Sequence, residues 1–287
     1  MSQALPLPPE KMRALIGNSD PDFFDNPSGA LVFPDVPAEY YETVFDFGCG
    51  CGRVARQLIQ QNPRPRRYVG LDVHKGMALW CQNNLTPQAE NFTFFHHDVF
   101  NLGFNPGENK AAVLPFPVAD HSFKLVISTS VFTHLIEAQA IYYMNEVARV
   151  LAEDGLFFST WFTFDKRDFP MMQDFQNALY INDIDPTNAV IFDRDWLRAL
   201  AAKVGLTIFK IVTPTVRGFQ WQIHMAHHSA GRPEVEFPPD LSPIGLVRPP
   251  VLREDPSLIG LEAERPAQAE PAKEKAIHKL LSPFRRR

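Results

Sequence analysis

Between residues 43 and 228 the apolar positions along the chain switch repeatedly between two periods. Short, nearly continuous apolar runs at 43–47, 68–72, 92–95, 125–128 and 155–161 read as strands buried on both faces. Stretches with apolar residues three and four apart read as amphipathic helices over 53–61, 75–84 and 138–151, the last stopping at the E-D-G of 153–155. Strand and helix in regular alternation predict a parallel sheet covered by helices on both faces. After the fifth strand the pattern predicts a helical stretch over 169–180. A further helix, capped by Asp193 and Asp195, then runs to Val204 and Gly205. Strands over 206–212 and 219–226 follow, joined through Pro214 and Gly218, which predicts an antiparallel hairpin.

Outside this span the pattern weakens. Residues 1–40 hold a helical segment at 10–16 and then a stretch with Phe, Asp and Pro. Residues 229–287 are rich in proline, with nearly balanced charges and few large apolar side chains, so a disordered tail is expected there. Within it, 273–287 has the pattern of a short basic amphipathic helix with Ile277, Leu280 and Leu281 on one face, a candidate contact for a membrane surface or a protein.

Composition narrows the function classes. A 45 % hydrophobic content in 287 residues is enough for a substantial core. The formal charge of −5 argues against a surface built to coat nucleic acid and makes small molecules the expected partners. No window approaches the roughly 18–20 apolar residues of a membrane span, and residues 1–9 lack the basic start and apolar run of a secretory leader. Three cysteines make no disulfide framework, so a reducing, cytoplasmic setting is expected. Cys49 and Cys51 form a C-x-C pair, but no second ligand pair stands at zinc-site spacing. They read as packing beneath a tight loop, with no metal.

The candidate chemistry begins at 44–56, V-F-D-F-G-C-G-C-G-R-V-A-R, where a strand ends in Asp46 and meets a helix through Gly48, Gly50 and Gly52. Glycines at this junction let backbone N–H groups and the positive helix end approach a ligand. Twenty residues past Gly52 the next strand ends in Asp72, placed to accept hydrogen bonds from a ribose diol. Nicotinamide enzymes place an acid equivalently, which keeps an NAD-dependent or nucleotide-sugar oxidoreductase as an alternative. The spacing G-x-G-x-G differs from the dinucleotide pattern G-x-G-x-x-G, with Arg53 where a glycine would be needed.

The D-x-G-x-G-x-G run resembles motif I of the class I S-adenosylmethionine-dependent methyltransferases. The resemblance extends over most of 40–228 and implies a Rossmann-like, seven-stranded, mostly parallel sheet with helices on both faces and an antiparallel C-terminal hairpin. It divides the chain into an N-terminal lid (1–40), a methyltransferase domain (41–228) and the tail (229–287). It further implies S-adenosylmethionine as cofactor, wrapped by Asp46, Gly48, Gly50 and Gly52. In H-H-D-V-F over 96–100, it assigns adenine recognition to Asp98 and Val99. In L-P-F-P-V-A-D-H-S-F-K-L-V-I-S over 114–128, it is similar to the family's entry into strand four, with Lys124 replacing the usual acid, and it places Ser128 beside the sulfonium.

His96 and His97, adjacent in a strand, point to opposite faces and are not expected to share a metal. His134, in V-F-T-H-L over 131–135, is the candidate general base: a hydroxyl acceptor must lose its proton, and an imidazole can take it near neutral pH. Insertions at 101–109 and 162–180, with 217–222, supply aromatic and amide side chains for substrate. The expected function is O-methylation of a small molecule or glycan. A non-catalytic, cofactor-binding partner subunit is the alternative of a different class.

Overall fold

The computed structural model describes residues 5–107 and 110–240. Contacts divide the chain into a unit over Met1–Pro243 and a second over Ile244–Arg287. The latter, with the expected tail beyond 240 and its basic segment at 273–287, lies outside the described residues.

Helix α1 (Glu10–Leu15) precedes a sheet in which strands and helices alternate: β1 (Thr43–Phe47), α2 (Arg53–Gln60), β2 (Arg67–Asp72), α3 (Lys75–Asn84), β3 (Phe92–His96), β4 (Phe123–Ser128), α4 (Glu137–Val150) and β5 (Leu151–Phe164). The chain then forms β6 (Ala178–Tyr180), β7 (Val190–Asp193), α5 (Arg194–Lys203), β8 (Leu206–Val212) and β9 (Trp221–His227). Strands β3, β2, β1, β4 and β5 lie side by side and parallel. β9 runs antiparallel on β5, from Phe157 opposite Met225 to Trp161 opposite Trp221, and β8 runs antiparallel on β9. This is the mixed α/β architecture the pattern predicts.

Alternate residues of a strand face opposite sides of a sheet. Phe45 and Phe47 of β1 therefore join the core with Phe132, Tyr143, Val147 and Leu197 on the α4 and α5 side. Val44 joins Val54, Leu58, Cys81 and Leu85 on the α2 and α3 side. Both faces are covered, which is why the strands read as continuous apolar runs.

Two strands were not expected. β6 and β7 make the sheet nine-stranded: β7 runs parallel to the far end of β5, pairing Phe162 with Ile191 and Phe164 with Asp193, and β6 runs antiparallel on β7. The helix expected over 169–180 is absent, and turns leading into β6 take its place. Its apolar side chains have nothing to bury against, Met171 and Phe175 being exposed. Local polar bonds take over the backbone instead: Asp165 accepts from the Arg167 N–H and Gln176 from the Gln173 N–H. The domain's contacts also run past the expected boundary at 228. The Val235 N–H donates to the Ile208 carbonyl at 2.9 Å, Phe237 packs on the core, and Arg198 pairs with Glu234 and Glu236.

The polar face of α2 is turned toward the N-terminal segment. The buried Arg56 guanidinium donates to the carbonyls of Phe24 (3.1 Å) and Leu5 (2.9 Å) and pairs with Asp25 at 2.8 Å. Gln57 donates to the Phe23 carbonyl, and Gln61 accepts from the Val32 N–H. Replacing Arg56 by Ala strands those buried carbonyls, at a cost of about 2–3 kcal/mol. The expected outcome is a melting temperature several degrees lower and faster proteolytic cleavage within residues 5–36. Wild-type cleavage kinetics would show that the segment is held by its apolar contacts alone.

Candidate active site

The carboxyl ends of β1 and β2 are laced together by hydrogen bonds. The N–H groups of Gly48 and Cys49 donate to the Leu71 carbonyl at 2.7 and 3.1 Å. The Gly50 N–H donates to Asp72 Oδ2 at 2.7 Å, and Asp72 Oδ1 accepts from the His74 N–H at 2.7 Å. Gly48 adopts φ +86°, and a Cβ there would stand 2.1 Å from Val131 Cγ2. Gly52 adopts φ +82° as the residue capping α2, where a Cβ would meet Leu85 and the Cys81 sulfur at under 3 Å. Cys49, Cys51 and Cys81 are buried around this loop, and burial pushes the Cys51 thiol up to about 12. Among the described residues no group of three His, Cys, Asp or Glu side chains is placed to hold a metal.

Above this junction lies a cavity of about 540 Å³. It brings together Asp46, Gly48, Gly50, Asp72, Val99 and His134 from the residues expected to form the site. Three others stand apart. Gly52 shapes the start of α2 beneath the loop. Ser128 is fully buried on β4, with Thr129 and Ser130 reaching the cavity in its place. Asp98 lies outside the cavity, where Asn105 Nδ2 (3.0 Å) and Lys110 Nζ both donate to its Oδ1. These two bonds hold its carboxyl down at about 2.

The two buried acids are not equivalent. Burial pushes the Asp46 carboxyl up to about 6, against the Tyr68 hydroxyl, which donates to Oδ2 at 2.7 Å, and against the Arg53 charge. Asp46 Oδ1 has no hydrogen-bond partner among the described residues. Burial also raises the pKa of Asp72, opposed by its two backbone N–H bonds.

The neighbouring histidines take separate partners. His96 Nε2 lies 3.1 Å from the Val73 carbonyl, while buried His97 Nε2 lies 2.9 Å from the Tyr143 hydroxyl. Burial pushes the His97 imidazole down to about 4, so it is neutral at physiological pH.

Several lining residues were not foreseen. Tyr143 and Gln139 come from α4, Leu15 and Ile16 from the N-terminal segment, and Asn188 from the connection before β7. Of 162–180 only Phe162 lines this cavity, of 101–109 Asn101 and Phe104, and of 217–222 Gln220. Gln220 Oε1 accepts from Thr160 Oγ1 at 2.5 Å, and its Nε2 donates to Ser130 Oγ at 2.9 Å. His134 Nδ1 lies 3.0 Å from the Thr187 carbonyl, the one hydrogen bond of this cavity-lining ring among the described residues.

Residues 44–155 match the family model described as a methyltransferase domain. The stretch from β1 into β5 is thus matched as a methyltransferase domain. Solved structures share the fold. The PH0226 protein from Pyrococcus horikoshii OT3 is 19% identical over 64% of this chain and 81% of that one, with TM-score 0.42. A SAM-dependent methyltransferase from Aquifex aeolicus is 14% identical over 77% and 98%, with TM-score 0.46. NcsB1, an O-methyltransferase from neocarzinostatin biosynthesis solved with S-adenosylmethionine and 2-hydroxy-5-methyl naphthoic acid, is 13% identical over 67% of this chain, with TM-score 0.46. The match spans 50% of the NcsB1 chain.

The cavity of the methyltransferase domain fits the family's cofactor, S-adenosylmethionine. The glycine loop forms a cradle that side chains at 48 or 50 would fill, and Asp46 lines it with an oxygen still lacking a partner. The nicotinamide alternative gives way to the family match.

Two expectations follow. Gly48→Ala must relieve a 2.1 Å clash and a left-handed backbone, the latter alone worth about 1–2 kcal/mol. Calorimetric titration is expected to show S-adenosylhomocysteine binding weakened at least tenfold, and unchanged affinity would refute the tight cradle. The second concerns Asp46. Its folded pKa, about 6, lies above the ordinary 3.8, so the stability gained by holding a proton is present at low pH and lost as pH rises through 6. Cofactor-free Asp46→Asn is therefore expected to match wild type near pH 4 and to exceed it by roughly 1–3 kcal/mol above pH 7. Denaturant unfolding across this range checks it, and a pH-independent difference would contradict it.

Proposed function

We propose that this domain methylates a hydroxyl oxygen of a neutral small molecule or glycan, with His134 as the general base. The observation that carries this reading is the cavity's distribution of charge. Its charged side chains, among the described residues, are Asp46, Arg53 and Asp72, all at the ends of β1 and β2 or the start of α2. The remaining walls present aromatic rings (Phe104, Phe162), amides (Asn188, Gln220), hydroxyls (Thr129, Ser130) and the His134 imidazole. Rings and neutral hydrogen-bonding groups suit a phenolic or sugar-like acceptor and offer no counter-ion to a charged one.

When bound, S-adenosylmethionine supplies a methyl group on a positively charged sulfur. The contribution of the chain is alignment and proton removal. Asp46, Asp72, Val99 and the glycine loop hold the cofactor end, and Gln220, Ser130 and Asn188 orient the acceptor. His134 takes the acceptor's hydroxyl proton at Nε2, and the methyl group that the cofactor would supply would leave its sulfur as the neutral thioether of S-adenosylhomocysteine.

His134→Ala is expected to keep its affinity for S-adenosylhomocysteine within about twofold while methyl transfer falls about 10²-fold or more. The assay uses methyl-labelled cofactor and a panel of phenols and methyl glycosides. Near-wild-type turnover in the variant would remove His134 from the chemistry. A folded, cofactor-binding wild type that modifies no hydroxylated acceptor would favour the non-catalytic partner reading.

A further inference from the structure

The connection between β6 and β7 has the sequence I-N-D-I-D-P-T-N-A over 181–189 and lies outside the residues matched by the family model. Its backbone is pinned by its own side chains. Asn182 Oδ1 accepts from the N–H groups of Ile184 (2.9 Å) and Asp185 (3.1 Å). Asp185 Oδ1 accepts from the Thr187 N–H (3.1 Å) and the Thr187 hydroxyl (2.6 Å). The Asn188 N–H returns to the Asp185 carbonyl at 3.0 Å, and the Ile181 N–H closes the base of the turn on Ala189 at 3.2 Å. Asn and Asp side chains stabilise tight turns by this kind of bond, and Pro186 fixes φ between them.

The strand that enters the turn is also fastened to the start of α4, just beyond His134. Asn177 Nδ2 donates to Glu137 Oε1 at 3.0 Å, and the Tyr180 hydroxyl accepts from the Glu137 N–H at 3.3 Å, three residues beyond the histidine. The Thr187 carbonyl is thereby set 3.0 Å from His134 Nδ1. A carbonyl oxygen can only accept, so Nδ1 must carry the proton of that bond. In the neutral ring the lone pair then lies on Nε2, the nitrogen that makes no hydrogen bond among the described residues.

We propose that Asp185 is a positioning residue for His134: by holding the Thr187 peptide it fixes the imidazole in the Nδ1–H tautomer and leaves Nε2 to receive the acceptor's proton. This rests on the reading of His134 as the base. The carboxylate does not touch the imidazole, and its effect passes through the single residue Thr187, whose N–H and hydroxyl it accepts and whose carbonyl meets the ring, as an outer partner fixes the tautomer of a metal-ligating histidine.

The tautomer can be read without any acceptor. Long-range proton–nitrogen correlation spectra of the labelled, full-length protein at pH 8 are recorded for wild type, Asp185→Ala and Asp185→Asn, with His134→Gln identifying the signal. The expected result is an Nδ1–H ring in wild type, loss of that preference in Asp185→Ala, and its retention in Asp185→Asn, whose amide oxygen can still accept both Thr187 bonds. Turnover on an accepted panel compound is expected to fall about tenfold in Asp185→Ala, with cofactor affinity unchanged, and to recover to within about twofold in Asp185→Asn. An Nε2–H ring in wild type, or an Asp185→Ala variant with unaltered tautomer and turnover, would overturn the proposal. Full activity in His134→Ala would instead remove the base assignment, while the spectra still decide whether Asp185 sets the ring.

Discussion

The Asp72 carboxylate is the interaction on which the rest of the site depends. One oxygen holds the Gly50 N–H and the other the His74 N–H, so a single side chain ties the loop after β1 to the start of α3. The same strand contributes the Leu71 carbonyl, which accepts from Gly48 and Cys49. Remove these bonds and the loop has no reason to keep three left-handed glycines in succession along alternate positions. Burying the acid is costly, and its raised pKa shows that the two N–H bonds only partly offset the cost. The compensation still to come is a ligand: the lone pairs not used by the backbone remain to accept further donors, which fits a ribose diol.

Asp46 sits beside Asp72 but does a different job. It is bonded by one Tyr68 hydroxyl and pushed up to about 6 by burial, and each acid raises the cost of ionising its neighbour's site. Arg53 offsets part of this charge from the first turn of α2, which gives a physical role to the residue that breaks the dinucleotide glycine pattern. In this chain the position that a dinucleotide pattern would give to glycine thus places a cation near the buried Asp46 carboxylate. The cavity's charged side chains among the described residues are gathered at this end and its other walls carry neutral groups, a division that fits the proposed cationic cofactor and uncharged acceptor.

How far the sequence was legible follows from how far each feature is local. The α3 boundaries at Lys75 and Asn84 and the cap of α5 at Asp193 come from patterns within one turn, and both were readable. The five parallel strands were readable because burial on both faces leaves continuous apolar runs. The segment over 169–180 was misread because its apolar spacing matches a helix, although Met171 and Phe175 are exposed and Gln176 takes the Gln173 N–H with its side chain. Asp98 illustrates the other failure: its neighbours Asn105 and Lys110 lie seven and twelve residues on, and nothing in the local pattern reveals that they bind it outside the cavity. Tyr143 reaches the cavity only through the sheet topology, so no motif could mark it, whereas Gln220 belongs to the 217–222 stretch expected to face the substrate.

β5 connects the stretch matched by the family model to the segment that follows it. Its lower half pairs with β4 and with β9, as a central strand of the sheet must, and its last residues run on to pair with β7. That overhang is the scaffold for the β6 and β7 pair, and the turn between them delivers the Thr187 carbonyl to His134. The histidine belongs to the stretch matched by the family model and the group that orients it does not. An extension of one strand by a few residues therefore has a chemical consequence. It supplies an acceptor at a fixed distance from Nδ1, so the tautomer proposed for the ring is decided by a segment beyond the residues the family model matches.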